Sequence, residues 1–214
     1  MRISPEELTK NGYTLLDRLE HSELIPFVVM YSKKKTIVSF TYNFLNVAFL
    51  LLLIFLIWRG YSEGFFTISA ALIHLSYGIA MSFLLVPFHE YIHALAYKFR
   101  GAKNTSFDAH WKKFYFMAIA DQFVAGRKDF KIVALAPFMV ITSIFILSML
   151  FASALWAISF ATIILSHAAF CSGDFALLSY FEFHKDKELV TYDDKENKIS
   201  YFFSRDLNTT NKPL

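Results

Sequence analysis

Residues 65–100 read FFTISAALIHLSYGIAMSFLLVPFHEYIHALAYKFR, and no Asp, Glu, Lys or Arg interrupts them before Glu90. Their apolar block, residues 65–86, meets the roughly 20 residues a helix needs to cross a bilayer. Nothing after Pro87 breaks the helical pattern until Arg100-Gly101, so the helix is expected to continue to Phe99. Pro87 is expected to kink it just before the His89-Glu90 pair. A candidate membrane span thus runs into two His and a Glu within five residues.

Three further apolar blocks, at 42–58, 132–151 and 154–178, have similar lengths. The whole chain of 214 residues is 56% hydrophobic and only 18% charged, too apolar for an ordinary soluble domain. Its 25 Phe and 11 Tyr suit lipid-facing helices with rings near the interfaces. The expected fold class is an α-helical membrane protein with about four transmembrane helices, a cytoplasmic membrane-associated β-hairpin and a short β-hairpin tail.

Lysines and arginines set the expected orientation. Lys33, Lys34 and Lys35 precede the first span, and Arg100, Lys103, Lys112, Lys113, Arg127, Lys128 and Lys131 lie between the second and third. By the positive-inside rule these segments, and with them both termini, are expected in the cytoplasm of a protein integral to the cell membrane. The start of the chain is polar and has no short apolar core with a cleavage site, so it does not read as a cleaved signal peptide. Residues 4–24 are expected to form an amphipathic helix, with Ser4 and Glu7 as a capping box, Pro5 at the first position and a stripe of Leu8, Leu15, Leu16 and Leu19.

Period-two alternation at Phe107, Ala109 and Trp111, then at Phe114, Phe116 and Ala118, predicts a hairpin across 107–118. The tail repeats the signal, with residues 189–192 and 199–203 flanking a polar turn. These features divide the chain into a cytoplasmic segment 1–36, a membrane core 37–181 containing the loop 100–131, and a cytoplasmic tail 182–214.

Two His four residues apart on a helix lie about 40° apart around it and about 6 Å along it, so both imidazoles can reach one metal ion. His89 and His93 meet this requirement. Glu90, offset by about 100°, is placed to take a proton from water at the metal's open position. Ionisable groups within membrane spans are costly and usually functional. Glu63 and Glu90 are the only acids between Leu24 and Phe107, and Asp174 is the only one between Phe130 and Phe181.

A catalytic zinc needs a third protein ligand, and depth selects Asp174. His89 lies about 36 Å of helix after Phe65 and Asp174 about 30 Å after Ala154, both on spans running inward. Gly173 can loosen the helix there. His167, seven residues before Asp174, could hold substrate, stabilise an oxyanion or bond another helix. Cys171 could face the site, though buried cysteines usually act as small hydrophobes. Phe114 and Phe116 are candidate substrate contacts. His74 and His110 read as structural. With a single cysteine there is neither a disulfide nor a CxxC zinc site.

The stretches Pro-Phe-His-Glu-Tyr-Ile-His-Ala-Leu at 87–95, Ile-Val-Ala-Leu-Ala-Pro-Phe at 132–138 and Cys-Ser-Gly-Asp at 171–174 resemble a family of membrane proteins described as putative zincin peptidases, distantly similar to the site-2 intramembrane metalloproteases. The resemblance covers most of 40–180 and implies a zinc ion held by His89, His93 and Asp174, with Glu90 as the base. Where site-2 proteases carry Leu-Asp-Gly, this chain has Ser-Gly-Asp-Phe.

The expected function is that of a zinc metalloendopeptidase hydrolysing membrane-associated or transmembrane substrates near the cytoplasmic side. Its expected partners are the lipid bilayer and a membrane protein or membrane-bound peptide. The alternative is a non-catalytic zinc-binding membrane protein, a pseudoprotease or a scaffold. A purely structural site would need no general base, so Glu90 favours the enzyme. A di-iron oxidase would require more clustered His, four spans without paired polar helices give no transport pathway, and the dispersed Lys and Arg form no nucleic-acid tract. Sequence leaves the oligomeric state open.

Overall fold

The computed structural model describes residues 3–110 and 115–207. Among them are seven α-helices and two small antiparallel sheets.

Helix α1 (Leu24–Ser32) ends just before Lys33, and α2 (Ile37–Ser62) begins at a cap in which Thr36 Oγ1 accepts from Ser39 N at 3.1 Å. Apolar on every side, α2 leaves Phe40 73%, Phe44 61% and Trp58 64% exposed. A helix with no polar face to turn toward water fits an apolar surrounding. α2 and α5 (Arg127–Met149) are each long and apolar enough to cross a membrane.

The other two apolar blocks form bent pairs. α3 (Ile68–Leu84) meets α4 (Val86–Phe99) at 42°, and α6 (Ala154–Phe170) meets α7 (Ser172–Phe183) at 47°. If each pair counts as one span, the candidate spans number four. The first bend follows from Pro87 in the opening turn of α4, which cannot donate to the carbonyl one turn back. The second falls at Cys171, just before Gly173. The two bent pairs pack tightly where α3 crosses α6, for a Cβ on Gly78 would meet Thr162 Cβ at 2.5 Å. At the end beyond the bends, hydroxyls tie three helices together: Ser179 Oγ donates to Tyr31 O at 2.9 Å and lies 2.8 Å from Thr36 Oγ1.

The N-terminal expectation is corrected. In place of one amphipathic helix, residues 5–11 make two short 3-10 turns, Gly12 takes a left-handed φ of 78°, and β1 (Thr14–Glu20) pairs with β6 (Ile199–Asp206). The capping pair exists, with Ser4 N donating to Glu7 Oε2 at 3.0 Å, but it closes a single turn. Leu16 and Leu19, three apart, mimic helical periodicity because a bulge between Leu15 and Asp17 inserts one residue and returns both leucines to the same buried cluster. The open edge of β6 outweighs the local helical pattern.

The two expected hairpins are present. β2 (Ser106–His110) pairs with β3 (Tyr115–Ile119), setting Phe107 opposite Ala118 and Ala109 opposite Phe116. β5 (Lys187–Asp194) pairs with β6, and β1 and β4 (Ala125–Gly126) extend this hairpin into a sheet of order β1-β6-β5-β4. The N-terminal segment and the tail, separate in sequence, thus share one sheet. Its inner residues Leu19, Leu189 and Phe202 pack on Phe27 of α1, Phe130 of α5 and Tyr180 and Phe181 of α7. The hairpin is fastened to this sheet, since Lys198 Nζ lies 3.1 Å from Asp108 Oδ1 and His21 Nδ1 lies 3.6 Å from Asp108 Oδ2. Burial raises the Asp108 carboxyl, but the Lys198 ammonium and His21 outweigh it and hold the group below the usual range.

Candidate metal centre

The two helix bends converge. His89 sits in the first turn of α4 and Asp174 in the first turn of α7, so each bend delivers one polar side chain to the same place. His89 and His93 share a face of α4, with their Nε2 atoms 3.0 Å apart. Asp174 spans the pair, Oδ1 lying 3.1 Å from His93 Nε2 and Oδ2 3.4 Å from His89 Nε2. Both imidazoles are buried, at 8% and 7% exposure. Brought together from two helices, the side chains of His89, His93 and Asp174 form a group able to hold a metal ion.

The imidazole of His93 is oriented by the backbone of α5. Its Nδ1 lies 3.0 Å from Val133 O, and because a carbonyl can only accept, Nδ1 carries the hydrogen and Nε2 keeps its lone pair for the centre. Val133 O is available for a local reason: its helical partner would be the N–H four residues on, and that residue is Pro137, which has none. Pro137→Ala is expected to supply that N–H, draw the carbonyl back into the helix and weaken metal binding about 10-fold without unfolding α5. Metal competition with a chromogenic chelator checks the first part and circular dichroism the second.

Glu90 borders the donor atoms. Its Oε1 is 3.9 Å from His89 Nε2, beyond ligand-to-ligand contact, while Oε2 accepts a 2.7 Å hydrogen bond from Ala118 N of β3. That N–H therefore points away from β2, and the outer edge of β3 faces the centre. His89, Glu90, His93, Asp174, Phe116 and Ala118 line a cavity of about 150 Å³. Next to it, a cavity of about 510 Å³ reaches the same His89 and Glu90 between apolar walls from Leu24, Ile25, Val28 and Val29 of α1, Phe83 of α3 and Phe170 of α6.

The remaining sequence candidates are placed as follows. His167 is 1% exposed and its Nε2 lies 3.1 Å from His89 Nδ1, on the side away from Asp174. Cys171 is fully buried, with Sγ 3.9 Å from the His167 ring nitrogens and 4.0 Å from His89 Nδ1. Phe116 lines both cavities, whereas Phe114 lies outside the described residues. His74 bonds within the helix packing, its Nδ1 lying 2.9 Å from Ser159 Oγ. Gly173, at the start of α7, has open space around it. Sequence reasoning missed the Val133 carbonyl, the Ala118 N–H and the α1 wall. Pro137, inside an apolar helix, was the one available signal for the first. The other two are backbone or packing features that no residue type marks.

A family model described as putative zincin peptidase matches residues 82–188, half of the chain, from the end of α3 through the start of β5. No curated protein and no solved structure matches. The chain belongs to this family, and the cofactor the family implies is zinc. The donor set fits that ion: bonds of about 2.0–2.1 Å from a tetrahedral zinc place its ligand atoms about 3.3 Å apart, and here the two Nε2 atoms lie 3.0 Å apart, each with a carboxylate oxygen of Asp174 at 3.1 or 3.4 Å.

Proposed function

Proceeding from that membership, we propose that the protein is a membrane-embedded zinc metallopeptidase that hydrolyses peptide bonds of membrane-associated or transmembrane substrates near the cytoplasmic face. His89, His93 and Asp174 are the ligands and Glu90 is the general base. The observation that carries this reading is the position of Glu90: a buried carboxylate beside a three-donor cluster, too far to complete it and aimed at the cavity it borders. A non-catalytic zinc site needs no proton acceptor beside its donors.

Zinc bound at the three donors would polarise the scissile carbonyl and make water acidic enough to attack at neutral pH. Glu90 accepts the proton of the attacking water and returns it to the leaving amine. His93, fixed by Val133 O, keeps its Nε2 directed at the centre throughout. The larger cavity brings apolar walls from α1, α3 and α6 up to Glu90.

The substrate must arrive extended, because a helix hides its amides. The outer edge of β3 supplies the means. Ala118 N–H, which bonds Glu90 in the resting protein, becomes a donor to a substrate strand laid antiparallel or parallel to β3. Replacing the 107–118 hairpin with a flexible linker is expected to abolish cleavage. Ala118→Pro is a finer test. Proline is tolerated on a strand edge, and this N–H is not used in pairing with β2, so the hairpin should persist with zinc bound while cleavage of an extended reporter falls at least about 10-fold, the worth of one hydrogen bond to a charged or reacting group.

The membrane part of the reading rests on the apolar exposure of α2 and α5, and the cytoplasmic placement of both termini on the lysines beside α1 and the basic segments next to the hairpin. The direct test is a membrane-anchored peptide reporter incubated with zinc-loaded protein in liposomes. Products that vanish with a chelator and return with zinc are expected. An intact reporter under both conditions, across apolar reporters of varied sequence, would favour the scaffold.

A further inference from the structure

One polar contact in the centre is unaccounted for by the ligands and the base. His167, in the last turn of α6, is almost completely buried, and it faces the one nitrogen of His89 that the metal site does not use. Burying a polar ring nitrogen without a hydrogen bond is unfavourable, so the ring at this position requires a partner. The nearest polar group is His89 Nδ1, 3.1 Å from His167 Nε2.

We propose that His167 is a positioning residue: it accepts a hydrogen bond at Nε2 from His89 Nδ1–H and thereby holds His89 in the tautomer whose Nε2 lone pair faces His93 and Asp174. The proposal rests on the metal reading above. The two ligating imidazoles are then oriented by different devices. His93 meets a carbonyl, which can only accept and so leaves no choice of tautomer. His89 meets another imidazole, which can either donate or accept, and the pair has two arrangements. In one, His89 donates and its Nε2 is free for metal. In the other, His167 donates and the hydrogen of His89 sits on Nε2, where it blocks the centre.

The metal site itself sets this choice: for His89 to offer Nε2 to an ion its hydrogen must sit on Nδ1, where His167 Nε2 is the acceptor within reach. Cys171, four residues after His167, has its Sγ 3.9 Å from both ring nitrogens of His167 and favours neither. The group His89, His167 and Cys171 is itself compact enough to suggest a second metal. One imidazole, however, cannot offer both nitrogens to metal ions while keeping its hydrogen, and His89 Nε2 already faces two ligand atoms.

The test uses the full-length protein in detergent, with zinc alone as the probe. By chelator competition, His167→Ala is expected to weaken zinc binding about 10–100-fold, the range for losing the group that orients a ligating His. His167→Gln, whose Oε1 reaches a similar position as an acceptor, is expected to restore most of it. That rescue separates an acceptor role from the filling of space, and a volume-matched His167→Leu should stay weak. Nitrogen-15 correlation spectra of the zinc-free protein should show the hydrogen of His89 on Nδ1. Wild-type affinity in both His167→Ala and His167→Leu would overturn the proposal, as would an Nε2–H tautomer of His89. So would two zinc ions per chain, the second lost in Cys171→Ser. His93→Ala is the reference: if it also binds zinc normally, the metal site itself falls, and if it alone loses zinc, only the role of His167 does.

Discussion

Glu90→Gln is expected to lower peptide-bond cleavage by about 10²–10⁴-fold, the usual worth of a general base, while zinc content stays at one ion per chain. The substitution is nearly isosteric, and the amide oxygen can still accept from Ala118 N, so the 2.7 Å contact between α4 and β3 survives. The side chain is not one of the three grouped donors, its Oε1 standing 3.9 Å from His89 Nε2. What the amide cannot do is take a proton from water. Zinc analysis and single-turnover cleavage of a membrane-anchored reporter, measured on the same preparation, check both halves. Unimpaired cleavage would remove Glu90 from the mechanism and leave the metal site standing.

The largest effect on binding is expected from His93→Ala. His93 Nε2 lies 3.0 Å from His89 Nε2 and 3.1 Å from Asp174 Oδ1, so its removal leaves two donors on one side of the centre. Zinc affinity should fall by more than the roughly 10–100-fold that loss of a supporting partner costs, and the ion should be lost during purification. Asp174→Ala should act similarly. His93 and Asp174 are carried by different helices, α4 and α7, so matched losses in the two variants would be the signature of one ion bridging both. Retention of a full equivalent of zinc in His93→Ala would contradict the site.

The parts of this architecture that sequence made legible are those in which side-chain type carries the information. Four apolar blocks correspond to two long helices and two bent pairs, the proline ahead of His89 to the first bend, and the period-two alternation to β2 and β3, because hydrophobic burial, a missing N–H and strand pleat all act through residue identity. Residues 4–24 failed for the same reason in reverse. The spacing of Leu16 and Leu19 is helical, and only the edge of β6, brought from the far end of the chain, turns it into a bulged strand. The second helix break was marked by Gly173 but falls at Cys171, since a bend is settled by how α6 and α7 pack and not by the glycine alone.

At the centre the same division holds. The side chains of His89, Glu90, His93 and Asp174 could be picked out by spacing and depth, and the structure brings them together. The groups that orient them are backbone atoms, the Val133 carbonyl and the Ala118 N–H, and every residue has one of each. Only the absence of an N–H at Pro137 left a trace of the first in the sequence.

The zinc K-edge X-ray absorption spectrum of the loaded protein decides whether two imidazoles and a carboxylate hold the ion. A first shell of nitrogen and oxygen alone at about 2.0–2.1 Å, with the outer-shell scattering of two imidazoles and no sulfur, is expected. A sulfur shell at about 2.3 Å would move the ion to His89, His167 and Cys171 and contradict the site.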